Sequence, residues 1–315
     1  VWRPVGFSSA SRIPILLAGA AVAIAAIAGC AIDRSRKYDG PQATLICPDS
    51  PTVYDVSPTI SRDARIVAWV RVGTDSSGTI FRILRWDRSM GSQDDAAAVD
   101  TIWTSSTVVN PIDLSPDGNR LIGTASYFHL VLWSRWTGGR QIDPPLGYDV
   151  LYPRWADSTS ILFGDDGPEG RGIYSWNVVT DRVVPMLTRF SDRTWSGTPI
   201  GLDRAGERIC MEEYSSGYGT SVAVYDRNGV AIYRRPAAGH PQFWNIVPGE
   251  PEGLLFLNTQ GILWGTRLAA GEAPFAILHN VQEYDVSQDG GWIAAKAEFG
   301  PNGTCLVIAP ARDIR

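Results

Sequence analysis

An all-β fold built from six repeated units is predicted by three observations. The first is composition: the 315-residue chain is rich in Gly (32), Pro (21) and Trp (12), while only 19% of its residues are charged. Many turns combined with many aromatic and β-branched residues is the signature of sheet proteins. The second is a local pattern. In "NPIDLSPDGNRLIG", residues 110–123, the polar turn Ser115-Pro116-Asp117-Gly118 separates two apolar runs of strand character. The third is that this pattern returns along the chain, which is the test for repeats.

The copies are "SPTISRDARIVAWV" with Asp63, "YPRWADSTSILFG" with Asp157, "PIGLDRAGERICM" with Gly206 but Ala205 where the Asp would stand, "WNIVPGEPEGLLFLN" with Glu250-Pro251, and "YDVSQDGGWIAAKA" with Asp289-Gly290. Anchors at 63, 117, 157, 205, 250 and 289 are roughly 40 to 54 residues apart, the spacing of propeller blades. A second half follows each turn: 79–87, 129–139, 172–187, 221–233, 261–278 and 304–313, several reading as strand, turn, strand with period-two alternation. Four strands per unit, six times, is a six-bladed β-propeller. The Ser-Pro-Asp-Gly turn followed by an "IYSWNVVTDR"-like hairpin resembles the TolB-type (WD-like) propeller repeat over about residues 43–315. That resemblance speaks to architecture; copies four and five depart from it.

The recurring turn residues have a structural reading. Gly118, Gly206 and Gly290 supply the positive φ of a sharp turn, and Asp63, Asp117, Asp157 and Asp289 bond backbone N–H groups of the same turn. One carboxylate per blade lies too far from the next to make a metal site. The last unit has no fourth strand of its own, and an open sheet edge is unfavourable. "ATLICPD", 43–49, is expected to complete it beside 304–309, which would put Cys47 and Cys305 on neighbouring strands where a disulfide forms if their registers match.

Before the repeats, residues 1–12 form a short segment carrying Arg3 and Arg12. Residues 13–32, "IPILLAGAAVAIAAIAGCAI", hold no charge over 20 positions, enough for a helix across a hydrocarbon core about 30 Å thick. Residues 33–42 are a linker. The expectation is one transmembrane helix with a cytoplasmic N-terminus, in a bacterial cytoplasmic membrane with the propeller on the periplasmic side. "IAGC", Ile27–Cys30, resembles a bacterial lipobox, and the alternative it implies is a processed envelope lipoprotein acylated at Cys30.

Chemistry is sparse. A net charge of −5 leaves no basic surplus for phosphates, so no nucleic-acid partner is expected. His129, His240 and His279 lie in different blades without metal-ligand spacing. No Gly-x-Ser-x-Gly stands in the chain, and Asp165-Asp166 and Glu212-Glu213 read as solvated loop charges. No catalytic residue, metal or cofactor is assigned. Polar insertions at 72–78, 87–106 and 165–172 and the turn-adjacent Trp103, Trp195 and Trp244 are the candidate contact elements, because loops on rigid scaffolds and exposed aromatics carry interfaces. The expected role is non-enzymatic: an accessory subunit docked on an integral-membrane, even energy-converting, complex and held to the bilayer through 13–32. The alternatives are an envelope lipoprotein with a TolB-like role among envelope proteins, and a propeller enzyme or ligand-binding protein with a site on the central axis.

Overall fold

The computed structural model describes residues 44–48, 52–76, 78–92, 97–125, 129–143, 145, 147–167, 170–187, 194–195, 200–203, 205–215, 219–244, 253–268, 273–287, 290–298 and 304–311. All of them belong to the compact unit Gly40–Arg315. The expected membrane helix at 13–32 and Cys30 lie outside the described residues. Among those described, no helix is long and apolar enough to cross a membrane.

Six antiparallel sheets form the fold. The first blade holds β2 (Tyr54–Ile60), β3 (Ile66–Asp75), β4 (Gly78–Asp87) and β5 (Val99–Ser105). The second holds β6 (Val109–Leu114), β7 (Arg120–Ala125), β8 (His129–Ser134) and β9 (Gly138–Ile142). The third holds β10 (Leu151–Trp155), β11 (Ser160–Gly167), β12 (Gly170–Asn177) and β13 (Arg182–Leu187). In the fourth the inner position is split between β14 (Thr194–Trp195) and β15 (Gly201–Leu202), both paired to β16 (Arg208–Ser215), with β17 (Gly219–Asp226) and β18 (Ala231–Pro236) outside. The fifth holds β19 (Ala238–Trp244), β20 (Gly253–Asn258), β21 (Leu263–Arg267) and β22 (Phe275–Leu278).

The last blade runs β23 (Val281–Val286), β24 (Trp292–Glu298), β25 (Thr304–Pro310), and its outer place is taken by β1 (Thr44–Ile46). β1 pairs antiparallel with β25, Thr44 opposite Ile308 and Ile46 opposite Leu306. One residue further on, Cys47 and Cys305 are joined by a disulfide with Cα atoms 4.4 Å apart.

Period-two alternation sends successive side chains to opposite faces, and here both faces are covered. In β3, Ile66, Ala68, Val70 and Val72 pack against the second blade, with Leu121, Val131 and Trp133. Val67 and Trp69 turn the other way and meet Ala294, Leu306 and Ile308 of the last blade. The same division yields six apolar clusters, one per seam between neighbouring blades. Trp244 is part of this packing: only 2% exposed, it donates its indole N–H to the Gly290 carbonyl at 2.9 Å. Trp103 sits in β5 against Gly139 of the next blade, where a Cβ would come within 2.4 Å of its ring. Both therefore depart from the expectation of exposed anchors, because the seam needs large rings to fill the widening space between blades. Trp195 lies in β14, and its side chain is outside the description.

Most of the described residues in the polar stretches 72–78 and 165–172 are strand rather than loop. They continue β3–β4 and β11–β12 as long hairpins, with Asp165 opposite Gly172 and Asp75 opposite Gly78. Glu212 and Glu213 likewise lie in β16 and are buried, Glu213 at 1% exposure. Tyr225 donates to Glu213, and Arg234 reaches it at 3.2 Å. Adjacent charges suggested solvent; the ladder sends them to opposite faces, where Arg234 from β18 meets Glu213 and Glu212 accepts the His240 amide at 3.0 Å.

Two outcomes are expected from this packing. Gly118 (φ 67°) has Ile66 Cγ1 only 2.6 Å from where a Cβ would stand, whereas Gly206 (φ 68°) has nothing closer than 3.9 Å. Gly206→Ala should lose about 1 kcal/mol through backbone strain alone, and Gly118→Ala about 2–4 kcal/mol, compared as urea midpoints. Cys47→Ser should lower stability by about 2–5 kcal/mol, and dithiothreitol should lower the native chain to the same level.

Candidate functional site

The inner strands of a propeller are sheet edges, so their N–H groups need acceptors that no neighbouring ladder supplies. This chain supplies them from equivalent positions. Two residues before the turn serine stand Thr59, Asp113 and Asp285, and Arg154, Gly201 and Gln242 hold the matching places in the other blades. Asp285 Oδ2 accepts the Ile60 amide at 2.9 Å, and Thr59 Oγ1 accepts the Leu114 amide at 2.9 Å. Asp113 Oδ2 accepts the Trp155 amide at 2.6 Å, and Gln242 Oε1 accepts that of Val286 at 3.1 Å. Each bond joins one blade to the next.

Arg154 has no acceptor to offer. Its guanidinium turns toward the axis and bridges the two aspartates, with Nη2 2.7 Å from Asp285 Oδ1 and Nε 3.3 Å from Asp113 Oδ1. The Thr59 hydroxyl lies 2.9 Å from Asp285 Oδ2 and completes the knot. At Gly201 there is no side chain; a Cβ would stand 2.6 Å from Cys210 Sγ. The amides of Gly201 and Phe243 point at that thiol, whose pKa burial pushes up to about 12. Cys210 is thus a packed thiol and no thiolate nucleophile.

Two carboxylates share one guanidinium, so the buried triad would carry a net negative charge if both were ionised. Burial pushes Asp113 above the ordinary carboxylate range; Arg154 opposes that shift and Asp285 adds to it. Arg154 is itself held charged, its own burial outweighed by the two aspartates.

The turn aspartates lie apart from this knot. Asp63 Oδ1 accepts from Ser61 Oγ at 2.7 Å and the Arg65 amide at 3.1 Å. Asp117 Oδ1 does the same with Ser115 at 2.6 Å and Asn119 at 3.1 Å, and Asp157 with the amides of Thr159 and Ser160 at 2.6 and 2.8 Å. Burial alone would raise Asp117 and Asp157, but these bonds outweigh it and hold both below the usual range. Asp289 and the turn at Glu250-Pro251 lie outside the described residues. In blade four the missing carboxylate is restored from another place: Asp203, at the position of the turn serine, accepts the amides of Glu207 and Arg208 at 2.6 and 3.0 Å and the Arg208 guanidinium at 2.7 Å. Among the described residues, no cluster of three or more His, Cys, Asp or Glu could hold a metal ion.

Beside the knot, on the side of the inner turns, opens a cavity of about 580 Å³. Arg154 and Gln242 lie at its inner end, Leu202 and Phe243 on one wall, and Arg62 and Asp157 toward the turns. Its chemistry is mixed: one buried cation already bridged by two acids, a primary amide, and an apolar wall.

Ring, seams and axial knot define a six-bladed β-propeller closed by its own N-terminal strand. No family model matches the chain, and no curated protein matches it. Among solved structures 1115 chains match, so the likeness identifies an architecture shared by many proteins. One is described as the structure of U3-55K, 12% identical, with a TM-score of 0.54, covering 86% of this chain and 100% of that one. Another is TolB from Acinetobacter baumannii, 17% identical, with a TM-score of 0.49, covering 82% of this chain and 54% of that one. At these identities the likeness concerns the fold.

The raised Asp113 sets a pH dependence. The folded chain holds a proton the unfolded chain has lost, so the stability this site contributes is present below the ordinary carboxylate range and falls as pH rises toward neutrality. Asp87, lowered to about 2 chiefly by its hydrogen bond from Arg65, acts in the opposite sense: its contribution is lost as pH falls through about 2. Urea midpoints should therefore fall between about pH 4 and pH 7 in the native protein, and Asp113→Asn should flatten that slope. An unchanged slope in the variant would remove Asp113 as its source.

Proposed function

We propose that the chain is a non-catalytic interaction platform: a rigid ring tethered through residues 13–32 to a bacterial cytoplasmic membrane, with its propeller on the outer side, serving as an accessory subunit of an integral-membrane complex. The observation that carries this reading is the state of the axis. Asp113, Arg154 and Asp285, the charges best placed for chemistry, are bonded to one another and to the amides of neighbouring blades. They serve ring closure. What is left to a partner is shape: turns, hairpins and the cavity mouth on a scaffold whose ends are covalently joined. The uncharged run at 13–32 supports the tether.

A second reading, a propeller that binds a ligand on its axis, is favoured by the cavity itself and by the acids gathered beside it. The two separate experimentally. Full-length protein purified in mild detergent should bring with it a discrete set of integral-membrane proteins, identified by mass spectrometry and retained through size exclusion. Purification of the chain alone, with a small molecule seen by native mass spectrometry, would overturn the subunit reading in favour of the ligand. The intact mass of the same sample separates a retained N-terminus from a chain acylated at Cys30.

A further inference from the structure

In a four-stranded meander the turn between strands one and two and the turn between strands three and four emerge on the same side of the ring. The described turns after the third strand each carry an exposed apolar side chain in blades one to four. Met90 follows β4, Trp136 follows β8, Val179 follows β12 and Val230 follows β17, with exposures of 60%, 64%, 62% and 57%. They stand two to four residues past the end of the third strand in four consecutive blades, as separate tips along an arc of the rim.

The chain itself enters on that side. β25 leaves its hairpin with β24 at Thr304 and runs toward Pro310, so Pro310 lies at the turn side, and Thr44 pairs opposite Ile308. The start of β1 is therefore at the face that bears the apolar tips. Only eleven residues, 33–43, separate it from the uncharged run ending at Ile32, a reach of at most about 40 Å.

We infer that this turn face rests on the lipid surface, with Met90, Trp136, Val179 and Val230 entering the headgroup region as four shallow anchors. The inference rests on the tether reading of residues 13–32 and goes beyond it by assigning which face meets the bilayer and through which side chains. Two features favour lipid over a protein partner here. The tips are isolated at the ends of different blades, whereas protein interfaces concentrate their energy in a packed central cluster. A fluid surface accepts separated anchors without shape complementarity. Exposed arginines stand beside two of the tips as well, Arg135 next to Trp136 and Arg227 three residues before Val230, the pairing of apolar tip and cation suited to an interface of acyl chains and phosphates. The opposite face differs in character. Among the described residues, its large exposed apolar side chains are Tyr54, Val108, Tyr152 and Tyr214, three of them carrying a hydroxyl.

The test uses the full-length chain reconstituted in phosphatidylcholine vesicles, with and without phosphatidylglycerol. Single Trp136→Cys and Val179→Cys variants, and Tyr54→Cys and Tyr214→Cys controls, all in a Cys30→Ala background, are labelled with an NBD fluorophore; the native cysteines of the ring are disulfide-bonded or buried. Nitroxide lipids should quench the probe at 136 and 179 at least threefold more than at 54 and 214, with a blue-shifted emission at the first pair only. Equal quenching at the two faces, or more at 54 and 214, overturns the assignment. Vesicle flotation after a carbonate wash reads the tether separately. A chain that floats without quenching at 136 and 179 keeps its tether and loses the lipid-facing assignment, leaving that face to a protein partner. A chain that does not float overturns both.

Discussion

Each blade of this ring is a sheet with two apolar faces, and a four-stranded sheet cannot hide both from water on its own. Val67 and Trp69 need the last blade; Val70 and Val72, from the same strand, need the second. Every seam is half of two different sheets, so the fold is stable only when the sixth seam forms and the ring is complete. Burial per seam follows area, but the last seam also joins the two ends of the chain and carries the loop-closure entropy of the whole unit. β1, three residues long, and the Cys47–Cys305 bond both sit in the blade that ends the chain, where that cost falls.

The same logic explains why the axis is polar. Where six inner strands converge there is little volume for large apolar side chains, and each strand presents amides with no ladder partner. Short side chains bearing oxygen, Thr59, Asp113 and Asp285, reach across to the next strand and satisfy one amide each. Two buried carboxylates on one axis would repel, and the arginine at the matching place of the third blade supplies the countercharge. A buried ion triad of this kind is a weak source of net stability, because desolvation offsets attraction, but removing one member leaves a charge stranded. Its value lies in specificity: only one register of the inner strands brings Asp113, Arg154 and Asp285 together.

Much of this was legible from the residues. The turn motif repeats because its geometry repeats, so six anchors sufficed to count blades, and the unpaired last unit pointed to a closing strand near Cys47. The axial knot was less legible for a specific reason. Asp113 and Asp285 stand four residues before their turn aspartates, as Thr59 does, but Arg154 is only three before Asp157 because that turn is shorter. A pattern search aligned on the turn breaks there, and the one residue that makes sense of the acids falls out of register. Asp203 escaped for a similar reason: it does the work of the turn aspartate from the position of the serine, where no carboxylate was sought. Trp103 and Trp244 misled in the opposite direction. Proximity to turns marks exposure in a sheet with one wet face, whereas strand ends in a propeller are still covered by the neighbouring blade.

Closure by the first strand has a mechanical consequence on the tethered reading. A pull from an N-terminal anchor is applied at residue 43 and meets β1 first. Three backbone-paired residues, Thr44 to Ile46, would peel from β25 in sequence, since an outer strand loaded from its end is resisted by one pair at a time. The covalent link lies immediately beyond them, at Cys47, and passes the load to Cys305 near the start of β25, which pairs with β24 opposite Ala297. An oxidising compartment therefore suits more than the resting stability of the ring. Reduced, a three-residue outer strand alone would bear the tether; oxidised, peeling stops at Cys47 and the six seams remain closed.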